Sequence, residues 1–461
     1  MRPFLLALAR LVLRIFYRSL EVRGAERIPG GRPLVFVANH VNSLMDPILL
    51  VGALPVFPSF LAKSTLWGNP LIRPFLDAAG AIPVYRRQDE GVDPAKNLET
   101  FARSHELLAR GGTLALFPEG ISHSHPALQP LKTGAARIVL EAERKFPGTG
   151  TLIVPVGLTF DAKQTFRSRA LVRVGEPIDP AREIALDRQD TAEDSVQAVR
   201  TLTARIEDAL EDVTLNYASW EEARLIQRAA DLWGRPTAEL PEGRPMAETF
   251  GVHRAFIEGL DEMRERFPER VAAVAGAVRA YDRLLGAFRL RDAQVAATYP
   301  PSPVARFVAK SLVRMLIHLP LAAIGTLLNW PVYRLVGLIA NRIASLPDIT
   351  ATYKVFGALF LFPLAWLLEA FAVGAWLDNP WLGAATFLAA LPTGYVALLF
   401  HEQRTLFARE ARAYLVLRTR KRLAEELKAR RKAILTEVED LAKLWAADAA
   451  SRSGGNVPSQ A

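Results

Sequence analysis

Two side chains with complementary acid–base chemistry follow a short apolar run near the start of the sequence: His40 and Asp46. A free histidine side chain titrates near neutrality, so an imidazole can take the proton of an alcohol that attacks a carbonyl. A carboxylate on the other ring nitrogen would fix the tautomer and stabilise the imidazolium that forms. The pair therefore indicates general-base chemistry on a hydroxyl group.

The six-residue spacing of His40 and Asp46 sets a geometric condition. On a regular helix six residues turn the chain by about 600°, so the two side chains would lie on different faces. They can meet if His40 lies in a loop after a strand and Asp46 lies in the first turn of the next helix. Ser43 and Asp46 match a capping box, which predicts Ser43 as the N-cap of that helix. A plain helix cap at Asp46 and a loop histidine at His40 are the structural alternative.

Further segments offer cations for phosphate and a carboxylate for hydroxyl groups. Residues 80–87 read Gly-Ala-Ile-Pro-Val-Tyr-Arg-Arg, a strand pattern ending in paired arginines, which can bind a phosphate bidentately. Residues 117–120 read Phe-Pro-Glu-Gly after another apolar run, and Lys132 lies twelve positions beyond Gly120. Each of these features alone has an ordinary explanation as a strand end, a turn or a surface lysine.

Taken in order, residues 39–46, 80–86, 117–120 and 153–156 resemble the four motifs of the glycerolipid acyltransferase family. The resemblance covers Leu34 to Ile178 and implies O-acyl transfer, with His40 as general base and Asp46 as its orienting partner. It also implies that residues 153–156 support catalysis through backbone donors to the oxyanion. The residues that we assign to substrate binding are Asn39, Lys63, Arg86, Glu119, Gly120, His123 and Lys132.

The first motif has five residues between His40 and Asp46, where the family usually has four. The longer gap is similar to the fungal-type glycerol-3-phosphate/dihydroxyacetone-phosphate acyltransferases, and residues 122–126 and 166–170 also look like that branch. The resemblance therefore implies acylation of the sn-1 hydroxyl of glycerol 3-phosphate, and by extension of dihydroxyacetone phosphate. Acylation of lysophosphatidate at sn-2 is the alternative within the class.

The resemblance implies acyl-CoA or acyl-carrier protein as the donor substrate, and no cofactor. The chain has no cysteine, which excludes a thiolate nucleophile and Cys-ligated zinc. His123 and His125 form a His-x-His pair without an obvious third ligand in the sequence, so we assign no metal site. A metal-dependent phosphohydrolase that uses these histidines with His40 and Asp46 is an alternative of another class, and a non-catalytic membrane scaffold is a third.

Composition and charge indicate a membrane partner. Hydrophobic residues make up 50% of the 461 positions, and the net charge is +9, which suits nucleic acid, anionic lipid or phosphorylated substrates. Residues 355–377 carry a single charge, Glu369, and residues 381–400 carry none, so each can cross a hydrocarbon layer of about 30 Å. We therefore predict a transmembrane helical hairpin, a phospholipid membrane as partner and no nucleic acid.

Basic segments flank this apolar region on both sides, which predicts an even number of crossings and an active site that faces the cytoplasm. Within residues 305–345, charged residues and prolines interrupt the apolar run. One tilted span, a re-entrant hairpin and an interfacial helix all remain open for that stretch. The chain is thus predicted to be an integral membrane protein.

Short apolar runs alternate with helical patterns between residues 33 and 174. This order predicts an α/β acyltransferase domain, a mixed sheet flanked by helices, followed by a helical region with the transmembrane hairpin. The predicted helices are 97–110 and 134–145, and the predicted strands are 33–38, 81–85, 113–117, 152–159 and 171–174. The predicted organisation is an amphipathic membrane-surface helix (1–24), the acyltransferase domain (25–218), a helical accessory region (219–304), the membrane region (305–400), a basic helix (401–446) and a disordered tail (447–461).

Overall fold

The computed structural model describes residues 1–70, 72–86, 93–188, 191–233, 238–240, 243–344 and 346–454. Arg87 of the paired arginines and residues 455–461 of the predicted tail lie outside the described residues. The chain divides into two compact units. The first consists of Met1–Asn216 with Gly337–Gly357, and the second consists of Tyr217–Val336 with Ala358–Ala461.

The described part of the first unit contains a seven-stranded sheet. Its strands are β1 (Tyr17–Arg23), β2 (Leu34–Ala38), β3 (Ser59–Lys63), β4 (Ile82–Val84), β5 (Thr113–Leu116), β6 (Leu152–Phe160) and β7 (Ser168–Val174). Their order across the sheet is β1-β7-β6-β2-β5-β3-β4. The β6–β7 pair is antiparallel and the other neighbouring strands are parallel. The predicted mixed sheet is therefore confirmed.

The central strand β2 shows why its sequence is apolar without interruption. Leu34, Phe36 and Ala38 are buried in one hydrophobic cluster, whereas Val35 and Val37 are buried in another. Because successive side chains of a strand point to opposite faces, the two clusters cover the two faces of the sheet. A strand that is buried on both faces needs apolar residues at every position.

Helices flank this sheet. They are α1 (Arg2–Phe16), α2 (Met45–Ala53), α3 (Arg73–Ala79), α4 (Asn97–Ala109), α5 (Gly134–Lys145), α6 (Ala181–Asp187) and α7 (Ala192–Glu211). The two helices predicted in this region, now α4 and α5, are confirmed, with one residue of difference at the end of α4. A left-handed glycine, Gly111, follows α4 and allows the chain to turn into β5.

The predicted helix over residues 1–24 is wrong in its extent, and its position at a membrane surface stays a prediction. α1 ends at Phe16, and the chain continues as the edge strand β1, which pairs with β7. Ala9, Leu13 and Phe16 are buried in the core of the first unit. The arginines spaced by four residues do lie exposed, but the opposite side of the helix packs on protein.

The second unit is helical. Its elements are α8 (Trp220–Trp233), α9 (Met246–Arg266), α10 (Pro268–Phe288), α11 (Asp292–Ala296), α12 (Pro301–Ile343), α13 (Thr350–Trp376), α14 (Pro380–Thr419) and α15 (Lys421–Gly454). The C-terminal end of α12 and the N-terminal end of α13, within Gly337–Gly357, belong to the first unit. The predicted basic helix 401–446 is therefore divided between α14 and α15. Residues 447–454, predicted as disordered, continue α15.

Three stretches of the described chain are long and apolar enough to cross a membrane: Pro301–Ile343, Pro347–Trp376 and Pro380–Thr419. The last two form the predicted helical pair. The side chain of Asn379 caps α14 by accepting hydrogen bonds from Trp381 N at 3.0 Å and Leu382 N at 3.3 Å. The prediction left Pro301–Ile343 open, and its residues form one continuous helix with Pro320 and Pro331 inside it.

Helices that precede the apolar stretches pack against helices that follow them. Within the second unit one buried cluster joins α8 and α10 to the end of α14 and to α15; its members include Leu232, Val278, Leu285, Ala413, Leu427 and Ile434. An ion pair of 2.9 Å between Asp292 and Arg431 lies beside it. These elements therefore form one packed body.

Candidate active site

The turn between β2 and α2, residues 39–46, brings His40 and Asp46 together as predicted. Nδ1 of His40 lies 2.8 Å from Oδ2 of Asp46. The same oxygen accepts the backbone N–H groups of Val41 at 2.9 Å and Asn42 at 2.7 Å. Asp46 is fully buried, and its position in the first turn of α2 favours a negative charge there. The carboxylate thus closes the turn and orients the imidazole at once.

Ser43 does not cap α2, so the predicted capping box is wrong. The N-cap is Leu44, without a side-chain hydrogen bond. Ser43 adopts φ 46°, a left-handed conformation that a non-glycine residue adopts at a cost of about 1–3 kcal/mol, and its N–H donates to Ser122 Oγ at 3.0 Å. The chain bends at Ser43 because Asp46 draws the amides of Val41 and Asn42 back toward the helix start.

The His40 ring is held by a neighbour from the third motif. It stacks on Phe117 with ring centroids 4.1 Å apart and planes 12° apart. The His40 side chain is 16% exposed, whereas that of Asp46 is buried. Since Nδ1 faces Asp46, Nε2 is the ring atom left to exchange a proton with a hydroxyl group.

Glu119 lies under the His40–Asp46 turn and is almost completely buried. Its Oε1 accepts the backbone N–H of His40 at 2.7 Å. Its Oε2 accepts the backbone N–H of Gln129 at 2.8 Å and is hydrogen-bonded to Nε2 of His123. We predicted a substrate contact for Glu119, but this geometry gives its carboxylate a positioning role instead.

His123 is buried beside the turn, and protein atoms engage both of its ring nitrogens. Nδ1 accepts the backbone N–H of His125 at 3.1 Å, so the proton lies on Nε2 and is donated to Glu119. The backbone N–H of His123 donates to the carbonyl of His40 at 3.1 Å. In the described part of the chain, no group of three or more His, Asp or Glu side chains is arranged to hold a metal ion.

The predicted phosphate-binding cations lie along one edge of the sheet. Strands β2, β5, β3 and β4 are parallel neighbours, so their carboxyl ends meet at the edge where His40 lies. Lys63 ends β3 opposite Val84 of β4, and Arg86 follows β4 by two residues. With strands about 4.8 Å apart, β4 lies about 14 Å from β2. This edge is where open α/β sheets bind ligands.

Lys132 lies against Gly120 of the third motif. Gly120 has φ 72°, and a Cβ at this position would lie 2.6 Å from Lys132 Nζ. The backbone N–H of Lys132 also donates to the carbonyl of Pro118 at 2.8 Å. The glycine therefore serves both the left-handed turn and the close approach of the lysine side chain.

Two predicted features bind the scaffold instead of a ligand. The Asn39 amide donates to Leu158 O at 3.0 Å and accepts from Leu158 N at 2.7 Å, so this buried side chain ties the turn to β6. Residues 153–156 lie inside β6, between β2 and β7. Pro155 has no N–H, and Ile153 donates to Ile178 at 3.0 Å. Neither of these two residues therefore offers a free backbone donor to an oxyanion, and the motif aligns β2.

Sequence reasoning missed Lys163, which lies in the loop between β6 and β7. Its Nζ donates to Val41 O at 2.7 Å, Ser124 Oγ at 2.8 Å and His123 O at 3.2 Å. Burial lowers the pKa of this lysine, against the opposing effect of two nearby carboxylates. The only signal was its position just before residues 166–170, which look like the fungal-type branch.

Tyr17 was also missed. This residue starts β1, and its hydroxyl accepts a hydrogen bond from Asn42 Nδ2 at 3.4 Å. Burial, followed by the charge of Asp46, raises the pKa of Tyr17 well above its usual value, so the phenol stays protonated. Tyr17 therefore packs beneath the turn as a neutral group.

Comparison with known proteins agrees with this geometry. Residues 19–159 match the family Acyltransferase, and residues 225–448 match the family Glycerol-3-phosphate acyltransferase 2 C-terminal domain. Over 78% of its length the chain is 28% identical to glycerol-3-phosphate O-acyltransferase 2 of Saccharomyces cerevisiae. It is 22% identical to glycerol-3-phosphate O-acyltransferase 1 of the same yeast over 84% of its length, and 26% identical to an uncharacterised acyltransferase of Schizosaccharomyces pombe over 78%.

The matched regions correspond to 63%, 64% and 66% of the lengths of these three relatives, so the chain spans slightly less than two thirds of each. The first family match contains the His40–Asp46 turn and the third motif, and the second contains the apolar helices. Together they confirm the resemblance that the four motifs predicted. The chain therefore joins an Acyltransferase domain to a glycerol-3-phosphate acyltransferase 2 C-terminal domain, and it is similar to the glycerol-3-phosphate O-acyltransferases of yeast.

Proposed function

We propose that the protein is a membrane-bound acyltransferase that moves a fatty acyl group from acyl-CoA or acyl-carrier protein to the sn-1 hydroxyl of glycerol 3-phosphate, as a step of phospholipid biosynthesis. The observation that carries this proposal is the 2.8 Å contact between His40 Nδ1 and the buried Asp46 carboxylate, at the ligand-binding edge of the sheet. The two yeast relatives whose names contain glycerol 3-phosphate support this acceptor.

The reaction needs one base that later acts as an acid. Nε2 of His40 takes the hydroxyl proton as the acceptor oxygen attacks the thioester carbonyl, and Asp46 stabilises the resulting imidazolium. Collapse of the tetrahedral intermediate breaks the C–S bond, and the imidazolium returns the proton to the leaving thiolate. The products are 1-acylglycerol 3-phosphate and the free thiol of the carrier. The chain has no cysteine, so the acyl group passes without a cysteine thioester.

The acceptor phosphate needs cations that leave its hydroxyl near His40. Lys63 and Arg86 follow neighbouring parallel strands on the same sheet edge, and Lys132 lies against the third motif. We assign the phosphate to these side chains, because guanidinium and ammonium groups bind phosphate oxygens through charge-assisted hydrogen bonds. Asn39, Glu119 and His123 then act indirectly, by holding the turn.

The packing of the second unit supports an even number of membrane crossings. The helices before Pro301 share one buried cluster with the end of α14 and with α15, so both must lie on the same side of a bilayer. The pair α13–α14 supplies two crossings. Residues 337–343 at the end of α12 belong to the first unit, together with residues 1–216. The described residues before Pro301 contain no candidate span. α12 then starts and ends on one side. Its middle enters the layer, as that of a re-entrant segment would, because Asn329 donates to Ala390 O at 3.1 Å and accepts from Trp366 Nε1 at 2.9 Å.

Cysteine labelling tests this topology, because the natural chain contributes no background thiol. We propose single cysteines at Ser302, Arg342, Asp378 and Lys421, probed with a membrane-impermeant maleimide in intact cells and in inverted vesicles. The positions 302, 342 and 421 should label only in inverted vesicles, which present the cytoplasmic face, whereas position 378 should label in intact cells. Labelling of positions 302 and 342 from opposite faces would contradict the even number of crossings.

Activity is tested on protein purified in detergent, with labelled glycerol 3-phosphate, dihydroxyacetone phosphate and lysophosphatidate compared side by side. We expect glycerol 3-phosphate to be the best acceptor and His40→Ala to abolish its acylation. His318→Ala is the control, because that exposed ring bonds only within α12. Full turnover by His40→Ala would exclude the mechanism. A higher rate on lysophosphatidate would reassign the acceptor, and chelator-sensitive phosphate release would favour the phosphohydrolase.

A further inference from the structure

The first turns of α13 pack against the His40–Asp46 turn within the first unit. Ala351 is buried in the same hydrophobic cluster as the sheet and α2. Thr352 Oγ1 accepts the backbone N–H of Leu44 at 3.3 Å, and Lys354 Nζ donates to the carbonyl of Gln164 at 2.8 Å. A segment that is remote in sequence therefore completes the surroundings of the turn.

Lys163 lies between these parts. Its ammonium has three N–H donors, and three acceptors surround it: Val41 O, His123 O and Ser124 Oγ. The donors are thus directed at protein atoms, and the lysine is placed to hold the turn to the loop that carries His123. Because Val41 directly follows His40, a movement of Lys163 would move the base.

The Lys163 side chain is partly buried, and removing a charge from water is unfavourable unless an opposite charge lies nearby. Two carboxylates act on Lys163 electrostatically, Asp348 more strongly than Asp46. Asp348 lies in the short 3-10 turn Pro347–Ile349 that leads into α13, and it is 3% exposed. The start of a candidate membrane helix therefore carries a buried carboxylate whose charge acts on Lys163.

The length of that helix permits this arrangement. The candidate span Pro347–Trp376 has 30 residues, or about 45 Å as a helix, which exceeds a hydrocarbon layer of about 30 Å. Residues up to Gly357 belong to the first unit. The remainder, from residue 358 to Trp376, is about 28 Å long and suffices for the crossing.

We propose that Lys163 and Asp348 are positioning residues for acyl transfer. Lys163 holds the His40–Asp46 turn against the His123 loop through its hydrogen bonds to Val41, His123 and Ser124. The buried Asp348 supplies negative charge beside it, from a segment that Thr352 ties to Leu44. The role of Lys163 and Asp348 in acyl transfer rests on the proposed function. The pair touches no reacting atom, so its loss should lower kcat by displacing His40 and leave binding of the acceptor nearly unchanged.

The kinetic test uses Lys163→Met, Asp348→Asn and the double variant, with Lys443→Met as a control for the loss of an exposed lysine. We expect kcat to fall about 10- to 100-fold in Lys163→Met, with KM for glycerol 3-phosphate changed less than about twofold. Asp348→Asn should also lower kcat. The kcat of the double variant should be no lower than that of Lys163→Met, because the two groups act as a unit. Lys163→Arg, which keeps the charge, should recover part of the rate.

Hydrogen exchange read by mass spectrometry gives a measurement that does not depend on activity. Lys163→Met should speed exchange both in residues 41–46 and in residues 347–352, while a thermal scan shows that the protein remains folded. Unchanged exchange in either segment would overturn the proposal, as would wild-type kcat in folded Lys163→Met and Asp348→Asn. If Lys163→Met fails to fold, Asp348→Asn and Lys163→Arg carry the same test. Wild-type protein that acylates no acceptor would refute the proposed function, while hydrogen exchange would still decide the coupling.

Discussion

The carboxylate of Glu119 lies 2.7 Å from the backbone nitrogen of His40 and accepts its N–H. The third motif therefore holds the first motif by its main chain, and Phe117 of the same motif stacks on the His40 ring. Two segments that are separate in the sequence thus fix both the backbone and the ring of the proposed base. The buried acid between them is a sensitive point for mutation.

Glu119→Gln should destabilise the protein and impair catalysis. Both carboxylate oxygens accept hydrogen bonds, from His40 N on one side and from Gln129 N and His123 on the other. A glutamine presents an NH₂ group to one of these donors whichever way it is turned. We expect a loss of about 1–3 kcal/mol in the free energy of unfolding, measured by thermal denaturation, and a lower kcat.

The control for this variant is Glu106→Gln, which changes an exposed acid on α4. It should leave the unfolding midpoint and the rate within error of the wild type. Wild-type stability of Glu119→Gln would mean that the buried carboxylate does not accept these three hydrogen bonds.

Asp46→Asn should keep the fold and lose activity. Only Oδ2 of Asp46 has hydrogen-bond partners among the described residues, whereas Oδ1 is buried without one. The new amide nitrogen can take the Oδ1 position, so the turn can still close. The imidazolium loses its counter-charge, and we expect kcat/KM to fall by about 10²–10⁴ in a steady-state assay. A variant that folds normally and retains full activity would contradict the role of Asp46.

Gly120→Ala and Gly111→Ala form a matched pair. Both glycines have positive φ, 72° and 75°, so both alanine variants should lose about 1 kcal/mol of stability. Only at position 120 would the new methyl group meet a neighbour, the Lys132 side chain. We therefore expect KM for glycerol 3-phosphate to rise in Gly120→Ala alone. Equal KM values in the two variants would remove Lys132 from the acceptor site.

His105 should make the first unit sensitive to acid. Burial, followed by the charges of Lys145 and Arg144, lowers the pKa of His105 from 6.5 to about 4. Between these two values the unfolded chain binds a proton that the folded chain does not, so stability falls as the pH falls from about 6.5 to about 4. Above pH 6.5 both states are neutral at this residue, and the effect vanishes.

His105→Gln should therefore show a smaller drop in unfolding midpoint between pH 7 and pH 5 than the wild type. An NMR titration of the wild-type ring should show no protonation at pH 5.5. A ring that titrates near 6.5 would refute this prediction.

The parts of the fold that the sequence predicted are those with local signals. β2, β5 and β6 are apolar runs buried on both faces, and the apolar residues of α4 and α5 recur with helical periodicity. β1 was not predicted because Arg18 continues the four-residue spacing of Arg10 and Arg14 in α1, and because a polar edge strand lacks an apolar run. β3 was missed because three of its five residues are partly exposed, so it lacks the continuous apolar run of β2.

Only one contact of the site, that between His40 and Asp46, could be predicted from the spacing of residues in the sequence. The gap between His40 and Asp46 required a loop and a first helical turn, and the structure has both. The burial of Glu119 could not be predicted, because its donors come from His40, His123 and Gln129, which only the folded chain brings together. The same holds for Asn39, whose partner Leu158 lies on another strand, and for Lys163, whose acceptors Val41, His123 and Ser124 come from two other loops.

The membership of residues 337–357 in the first unit has a consequence for biosynthesis. A ribosome delivers the chain from its N-terminus, so Met1–Asn216 emerge while the partners of Leu44 and Lys163 at positions 352 and 348 have not yet been made. Those partners arrive only after α12 has been translated. The first unit therefore reaches its full set of contacts only when the first candidate membrane helix has already been made.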